Sequence, residues 1–215
     1  MKITDEKAGI RRAPRQQRSR QTVEAVLDAV ERVLKREGAD AITTNRIAEA
    51  AGVSIGSVYQ YFPDKRSIFT ALHQRHVEQV SQAIERTVAE HASTFGSGAQ
   101  PPASTSLADF TCALAKALMN VHDSDPLLHG IIAEAVPESA QGFRRALQAT
   151  FERIISPLDQ GVRSQQMLWV LPHLLEALVH GGMAQRPSVL SLDDMKQEVV
   201  RAIRAYLDAA QVDSP

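Results

Sequence analysis

The chain has 215 residues, of which 44% are hydrophobic, and a formal net charge of −1. This length allows one large domain or two small ones, and the apolar fraction excludes a globally disordered chain. Residues 1–75 hold 14 lysines and arginines against 9 acidic residues, whereas the remainder holds 10 against 16. A basic N-terminal third on an acidic body is typical of a DNA-binding head joined to a body that avoids DNA.

Cysteine content and hydropathy bear on the compartment. Cys112 is the only cysteine, which excludes an intramolecular disulfide and fits a reducing compartment. The N-terminal sequence MKITDEKAGIRR lacks the apolar core of a secretory signal. The most apolar long stretch, 167–184, contains Pro172, His173 and Glu176, so it predicts a buried helix rather than a membrane span. We therefore expect a cytoplasmic protein with no membrane partner.

The chain begins with a basic segment. Residues 1–17 are predicted to form a disordered arm that is either a solubilising tail or a DNA-binding extension, which follows phosphates or enters a minor groove. Its position directly before the first helix favours DNA, with Arg15 and Arg18 as contacts. That helix is predicted over 18–37 from apolar residues at helical spacing, with Gly38 as its end.

The stretch 43–65 predicts two short helices joined by a tight turn. Thr44 is expected to cap the first helix, because its hydroxyl can accept a hydrogen bond from a backbone N–H. Gly52 is expected to end this helix in the left-handed conformation. Ser54 caps the second helix, and Pro63 ends it because the residue before a proline is pushed out of the α region.

The outer face of the second helix is uncharged. Its residues are small or hydrogen-bonding: Gly56, Ser57, Tyr59, Gln60 and Tyr61. Such a face suits a helix in a DNA major groove, where side chains meet base edges and phosphates. The alternative is a structural helix pair with two exposed tyrosines. The agreement between the caps, the turn glycine and the terminal proline favours the DNA-binding interpretation.

This stretch resembles the helix-turn-helix signature of the tetracycline-repressor (TetR) family of bacterial transcription regulators. The residues that carry the resemblance are Thr44, Ile47, Ala48, Ala51, Gly52, Val53, Ser54, Gly56, Ser57, Val58, Tyr59, Tyr61, Phe62 and Lys65. The resemblance implies a three-helix DNA-binding head over 18–64 and a helical effector-binding and dimerisation body over 65–215. Predicted base contacts come from Gly56, Ser57, Tyr59, Gln60 and Asn45. Predicted phosphate contacts come from Thr44, Tyr61 and Lys65.

The rest of the chain also has helical periodicity. A long helix is predicted from Asp64 to about His91, and a Gly/Pro/Ser loop follows over 93–106. Later helices are predicted to begin at Ser106, Asp125, Pro137, Ser164 and Ser191. No segment alternates with period two for long enough to form a strand. The predicted fold class is therefore all-α, with about nine helices.

The last two predicted helices carry more apolar surface than a one-sided surface helix needs. Such helices are either central to their own domain or shared with a partner chain. The family resemblance implies the second, a four-helix interface in a homodimer. The predicted interface residues are Leu168, Leu171, Leu175, Leu178, Val199, Ile203 and Tyr206.

A few polar or polarisable residues lie among apolar neighbours in the body. Each is either a satisfied core residue or part of a mixed pocket for a small organic molecule. The resemblance favours a pocket for a small, largely apolar effector. The predicted lining residues are Phe110, Met119, His122, Phe151, Trp169 and His173.

Two other classes of function compete with a regulator. An enzyme finds no support, because the sequence has no Gly-rich phosphate loop, no G-x-S-x-G elbow and no zinc-type cluster. His73-x-x-His76 and His173-x-x-Glu176 are single pairs, too few for a metal site. A helical interaction protein is disfavoured by the basic arm and the hydrogen-bonding face. We therefore predict no catalytic site, metal or cofactor, and a dimeric, ligand-responsive repressor that binds double-stranded DNA at a palindromic operator.

Overall fold

The computed structural model describes residues 17–91, 104–123, 139–155, 162–182 and 189–212. These residues form eight α-helices and no β-strand, which confirms the all-α prediction. The helices are α1 (Gln17–Glu37), α2 (Thr44–Ala51), α3 (Ile55–Tyr61), α4 (Lys65–His91), α5 (Ser104–Asp123), α6 (Ser139–Ile155), α7 (Val162–Leu175) and α8 (Leu192–Val212). A 3₁₀ turn, Ala39–Ala41, follows α1, and a π-helical segment, Glu176–Gly181, continues α7.

Two predictions fall wholly or largely outside the described residues. One is the basic arm with Arg15, of which only Gln17 is described, in the first turn of α1. The other is the short helix predicted to begin at Asp125. Arg18, the second predicted arm contact, lies in the first turn of α1.

The described residues divide into two compact units. The first contains α1, α2, α3 and α4 up to Val77, and the second contains α4 from Glu78, α5, α6 from Gln141, α7 and α8. Helix α4 therefore contributes to both units as one continuous helix. The functional domain boundary placed between residues 64 and 65 stays a prediction.

The core of the first unit is built on the apolar stripe of α1. The stripe residues recur three and four positions apart, which places them on one helix face, and none is more than 4% exposed: Val23, Val26, Leu27, Val30 and Leu34. Ile47 of α2 and Val58 of α3 pack against them with no exposed surface. Ile68 and Leu72 of α4 complete the cluster. The stripe thus holds the two short helices on a single platform.

Helix α4 begins where the sequence predicted, because Asp64 and Ser67 cap it reciprocally. The Ser67 N–H donates to Asp64 Oδ1 at 2.7 Å, and the Asp64 N–H donates to the Ser67 hydroxyl at 3.3 Å. Ser191 and Asp194 form the same arrangement at the start of α8, where the Asp194 N–H donates to the Ser191 hydroxyl at 3.1 Å. Both predicted caps are confirmed.

Two predicted starts in the body are wrong. Helix α5 begins at Ser104, so Ser106 already lies inside its first turn. Helix α7 begins at Val162, and Ser164 is buried within the first turn instead of capping it. No glycine or proline lies between Ser104 and Ser106 or between Val162 and Ser164. The backbone can therefore become helical before it reaches the serine that was predicted as the cap.

The core of the second unit contains most of the residues predicted for a dimer interface. Leu171, Leu175 and Ile203 have no exposed surface and Val199 is 3% exposed, so their side chains are used within their own subunit. Their assignment to an interface is therefore wrong. The remaining three are partly buried and pack against the same cluster: Leu168, Leu178 and Tyr206. The inward apolar surface of these helices therefore belongs to their own domain, and an interface through their other sides stays a prediction.

Candidate nucleic-acid interface

Helices α2 and α3 are joined by a turn with one defined geometry. Gly52 ends α2 in the left-handed conformation, with φ 68° and ψ 30°, as predicted. The Val53 N–H donates to the Ala48 carbonyl at 3.0 Å, and the Gly52 N–H donates to the Glu49 carbonyl at 3.1 Å. These two bonds are those of a Schellman motif, which satisfies carbonyls that the end of a helix leaves open. The turn therefore fixes α3 with respect to α2.

The predicted cap of α2 is off by one residue. Thr43 has extended backbone and its hydroxyl accepts a hydrogen bond from the Arg46 N–H at 3.2 Å, so Thr43 is the N-cap. Thr44 is the first helical residue and is partly buried. An N-cap accepts from the second or third helical residue, and both threonines have the same chemistry, so sequence alone did not separate them.

Helix α3 presents a narrow polar face. The Ser54 hydroxyl accepts from the Ser57 N–H at 3.0 Å, which confirms the predicted cap. Gly56, Tyr59 and Gln60 are exposed, and the Tyr59 side chain is 47% exposed. No residue on this face is charged. A helix with such a face can enter a major groove and meet base edges through hydroxyl and amide groups.

The placement of Tyr61 on this outer face is wrong. Its side chain is 7% exposed and belongs to the core of the first unit. Tyr61 lies three residues after Val58, which is fully buried, and residues three apart share a helix face. This periodicity was the signal in the sequence that could have identified Tyr61 as a core residue.

Gly56 has a backbone conformation that other residues can adopt, because it does not have positive φ. A Cβ atom at this position would meet only the Ser54 hydroxyl, at 3.8 Å, which is ordinary van der Waals contact. The fold therefore gives no steric reason for glycine here, although glycine destabilises a helix relative to alanine. Close approach of another molecule to α3 provides a reason.

Cationic side chains of the head are either exposed or paired with other protein groups. Lys65 is exposed at the start of α4, and its Nζ lies 5.5 Å from the centre of the Phe69 ring. Asn45, a further predicted contact, is exposed on α2. Arg32 and Arg46 are instead engaged by protein groups: Ala50 carbonyl for the first and Glu37 for the second. Sequence analysis did not single out these two arginines.

Comparison with known proteins identifies this arrangement. The model of a family described as bacterial regulatory proteins, tetR family, matches residues 26–72, which cover most of α1, the whole of α2 and α3, and the start of α4. Solved structures of TetR-family regulators share the helical fold over most of the chain. The matched residues place this head in the TetR family of DNA-binding transcriptional regulators, as the sequence resemblance implied.

Sequence relatives match this chain over different shares of its length. The nucleoid occlusion factor SlmA of Haemophilus ducreyi is 32% identical over 78 residues, which are 36% of this chain and 37% of that protein. The SlmA of Actinobacillus pleuropneumoniae serotype 5b is 38% identical over 63 residues, or 29% of each chain. The match thus spans about a third of these relatives' length. An uncharacterised HTH-type transcriptional regulator of Mycobacterium tuberculosis is 25% identical over 77% of this chain and 78% of its own.

Structural relatives extend over the body. A TetR-family regulator from Mesorhizobium loti has a TM-score of 0.64 and 18% identity, covering 90% of this chain and 98% of its own. LfrR of Mycobacterium smegmatis, solved in complex with proflavine, has a TM-score of 0.50 and 20% identity, covering 89% and 96%. At these identities the likeness concerns the fold.

Four of the six predicted effector residues lie together in the body. Phe110, Met119, His122 and Phe151 have no exposed surface. The Phe110 and Phe151 rings meet edge to face at 6.2 Å, and the His122 ring meets that of Phe143 in the same way at 5.6 Å. The second unit therefore contains two edge-to-face ring pairs between α5 and α6, within its packed core.

The prediction that Trp169 and His173 line the same interior site is wrong. Trp169 is 67% exposed, and His173, partly buried, stacks on it with ring centres 4.7 Å apart. The inward side of α7 is occupied by Leu171 and Leu175. Trp169 and His173 are one turn apart on the other side of that helix, so the same periodicity that buries the leucines directs the tryptophan outward.

A groove of about 510 Å³ lies between α4 and α5 in the second unit. Amide, charged and small side chains line it: Gln79, Gln82, Ala83, Arg86, Thr87, Glu90, Ala117, Asn120 and Val121. None of the six predicted effector residues is among them. Sequence analysis did not indicate this groove, because exposed polar positions on two helices look like ordinary solvated faces.

The described residues offer neither a metal site nor a membrane span. No group of three or more His, Cys, Asp or Glu side chains in the described ranges could hold a metal ion. None of the helices in the part of the chain that the structure describes is long and apolar enough to cross a membrane. Cys112 is buried, which raises the pKa of its thiol.

Proposed function

We propose that this TetR-family regulator is a ligand-responsive repressor that binds a near-palindromic operator as a homodimer in the bacterial cytoplasm. The observation that carries the proposal is the exposed, uncharged, hydrogen-bonding face of α3, held by a capped turn on the core of the first unit. A repressor of this kind acts by occupying the promoter, and its operator reflects the two-fold symmetry of the dimer.

Base contacts come from the exposed face of α3. The Ser57 hydroxyl and the Gln60 amide hydrogen-bond base edges, Tyr59 reaches a base or a thymine methyl, and Gly56 allows the helix backbone to approach. Asn45 of α2 adds a contact at the edge of the site. Thr44 and Lys65 contact phosphates, together with Arg15 and Arg18 at the N-terminal side. The Tyr61 side chain packs in the core and supports α3 from within, so it does not belong to this set.

The homodimer forms through the outward sides of α7 and α8. Trp169 supports this proposal, because an aromatic side chain that is 67% exposed on one subunit has a large apolar area available for a partner. Three alanines on the exposed side of α8, Ala202, Ala205 and Ala209, allow close approach of a second helix. The buried leucines of α7 support these helices from within each subunit and do not take part in the contact.

A small, largely apolar effector binds in the body and weakens operator binding. The edge-to-face contacts of Phe110 with Phe151 and with His91 support an aromatic-lined site in the second unit. The complex of LfrR with proflavine adds support, because a structurally similar protein holds a planar aromatic molecule. An effector that prefers one arrangement of the body changes DNA affinity by its differential affinity, and about 1–3 kcal/mol gives a roughly 5- to 150-fold effect.

The first test is selection of duplex DNA from a random library with the full-length chain. Selected sequences should converge on two inverted half-sites, with recognition helices roughly 34–36 Å apart or a little more. Sedimentation of the complex should give two chains for each duplex. A site without inverted symmetry that is occupied by one chain would refute the dimeric part of the proposal.

The second test uses proflavine as a probe of the effector site. Titration with the full chain should change the fluorescence of proflavine itself and release the selected duplex at the same concentrations. Phe151→Leu, which keeps an apolar side chain in the core, should weaken both responses in parallel. Binding of proflavine without release of DNA would separate the pocket from the switch and contradict ligand response to this class of compound.

A further inference from the structure

Helix α2 is attached to α1 by an ion pair at its N-terminal end. The Arg46 Nε donates to Glu37 Oε2 at 2.9 Å, and Nη2 donates to Glu37 Oε1 at 2.5 Å, which is a bidentate arrangement. The remaining nitrogen, Nη1, donates to Glu49 Oε2 at 3.0 Å. All three guanidinium nitrogens of Arg46 are therefore engaged by protein carboxylates. Paired N–H···O bonds of this kind fix orientation as well as distance.

A second arginine attaches α2 to α1 at its C-terminal end. The Arg32 Nη2 donates to the Ala50 carbonyl at 2.8 Å. The turn satisfies the carbonyls of Ala48 and Glu49, so Arg32 meets a neighbouring carbonyl that the turn does not use. A cation is favourable at this place, because the C-terminal end of a helix carries partial negative charge. The two attachments lie four residues apart on α2 and five apart on α1.

The two attachments determine how α3 is presented. Ile47 packs α2 on the apolar stripe of α1, and the two polar attachments at its ends add a constraint on its direction. The turn after Gly52 then transmits this direction to α3 through the Val53 N–H bond to the Ala48 carbonyl. Base contacts need side chains held to within about 0.5 Å and 10–20°. A small rotation of α2 therefore displaces the residues of α3 that meet the bases.

We infer that Arg32 and Arg46 are positioning residues for DNA recognition, which set the direction of α3 from α1 and do not contact phosphate. Their place in a basic helix-turn-helix head makes phosphate contact the obvious alternative. The two roles differ in what they change. A phosphate contact acts on every duplex and contributes to salt dependence, whereas a positioning contact acts on the specific site alone.

The experiment measures the affinity of the full chain for the duplex selected by the wild type and for an unrelated duplex, over a range of salt concentrations. Arg46→Gln and Arg32→Gln should weaken binding to the selected duplex by roughly fivefold or more, as expected when one base is no longer read. Affinity for the unrelated duplex and the slope of log K against log salt should stay at wild-type values. The matched control, Lys65→Gln, removes a predicted phosphate contact and should lower the slope by about 0.9 for each phosphate that Lys65 neutralises.

A second variant tests the inference with Arg46 in place. Glu37→Gln removes the bidentate carboxylate and leaves only Glu49 on the guanidinium, so a phosphate-binding arginine would bind both duplexes more tightly. If Arg46 is a positioning residue, the Glu37→Gln variant should instead discriminate less between the selected and the unrelated duplex. The exchange Glu37→Arg with Arg46→Glu, made together with Glu49→Gln to avoid like charges three residues apart, should restore discrimination, because it rebuilds the pair and places each charge at the favourable end of its helix.

Three outcomes would overturn the inference. One is a salt slope reduced in Arg46→Gln or Arg32→Gln as much as in the Lys65 variant. Another is a lower melting temperature with unchanged affinity for both duplexes, which would make the role structural only. The third is tighter binding of both duplexes by Glu37→Gln. If Arg46→Gln does not fold, Glu37→Gln and Arg32→Gln decide the question. Failure of the wild type to select any duplex would count against the proposed operator binding instead.

Discussion

Arg75 of α4 donates from Nη1 to Oδ1 of Asp28 in α1 at 2.6 Å. The same guanidinium binds Glu24 at 3.2 Å and Glu31 at 2.6 Å, and its side chain is 18% exposed. One half-buried cation thus lies among three carboxylates that are spaced three and four residues apart on one face of α1. Without it these carboxylates would repel one another, so Arg75 adds a charged contact to the apolar packing of Ile68 and Leu72 on α1.

Replacement of Arg75 by Met should destabilise the first unit. We expect the free energy of unfolding to fall by roughly 1–3 kcal/mol, because three carboxylates lose a charged hydrogen-bond partner. Hydrogen exchange of the α1 amides in the full chain measures this effect locally. The control is Arg86→Met, an exposed position of the same helix, which should leave α1 unchanged. Protection of α1 at the wild-type level in the Arg75 variant would contradict this role.

The pair of Glu37 and Arg46 should make stability depend on pH in acid. The hydrogen bond from Arg46 holds the pKa of the Glu37 carboxyl below its ordinary value. A carboxyl with a depressed pKa stabilises the folded state above its unfolded pKa, and this contribution is lost as pH falls through the folded pKa. The melting temperature of Glu37→Gln should therefore lie below that of the wild type at neutral pH and approach it below about pH 4.

The double mutant provides the control for this pH effect. With Arg46→Gln in place, Glu37→Gln should change the melting temperature equally at neutral and acid pH. If the melting temperature of the single variant Glu37→Gln stays below that of the wild type by the same amount in acid, Glu37 stabilises the head by means other than this ion pair.

Gly56→Ala should separate stability from function. Alanine fits beside the Ser54 hydroxyl and has the higher helix propensity, so the free energy of unfolding should rise by up to about 1 kcal/mol. Affinity for the selected duplex should fall, because the added methyl group lies on the face that approaches DNA. Thermal melting and a binding titration measure the two effects. Unchanged DNA affinity would place Gly56 outside the interface.

Gln60→Ala should change sequence preference. An amide that reads a base edge contributes about 1–3 kcal/mol of discrimination at one base pair of each half-site. Repeating the selection with the variant should therefore relax one position per half-site and retain the others. Equal weakening on all sequences would remove Gln60 from the residues that read bases.

The sequence was sufficient to predict the structure wherever local chemistry decides it. The stripe of α1, the left-handed Gly52 and the caps at Ser54, Asp64 and Ser191 follow from periodicity, glycine and hydrogen-bonding hydroxyls. It was insufficient where two similar residues compete for one role, as Thr43 and Thr44 do. It also did not indicate that Arg32 and Arg46 pair within the head, because these contacts depend on the packing of one helix against another.

Helix α7 shows predictions that the structure reverses. Trp169 was expected inside the body as one of a few polar or polarisable residues among apolar neighbours, whereas the family resemblance implied that Leu171 and Leu175 meet a partner chain. In the structure the leucines fill the core and the tryptophan is 67% exposed. Neither prediction took account of the phase of the helix.

This reversal leads to a test of the dimer with two substitutions on one helix. Trp169→Glu should leave the fold intact, because the side chain is exposed and stacks only on His173 among the ring contacts of the described residues. The variant should sediment as a folded monomer if Trp169 is buried between subunits, because a charge would then be buried without a partner. Leu175→Glu, at a position with no exposed surface, should unfold the second unit instead. Circular dichroism distinguishes the two cases. A folded Trp169→Glu dimer of wild-type mass would show that the subunits meet through another surface.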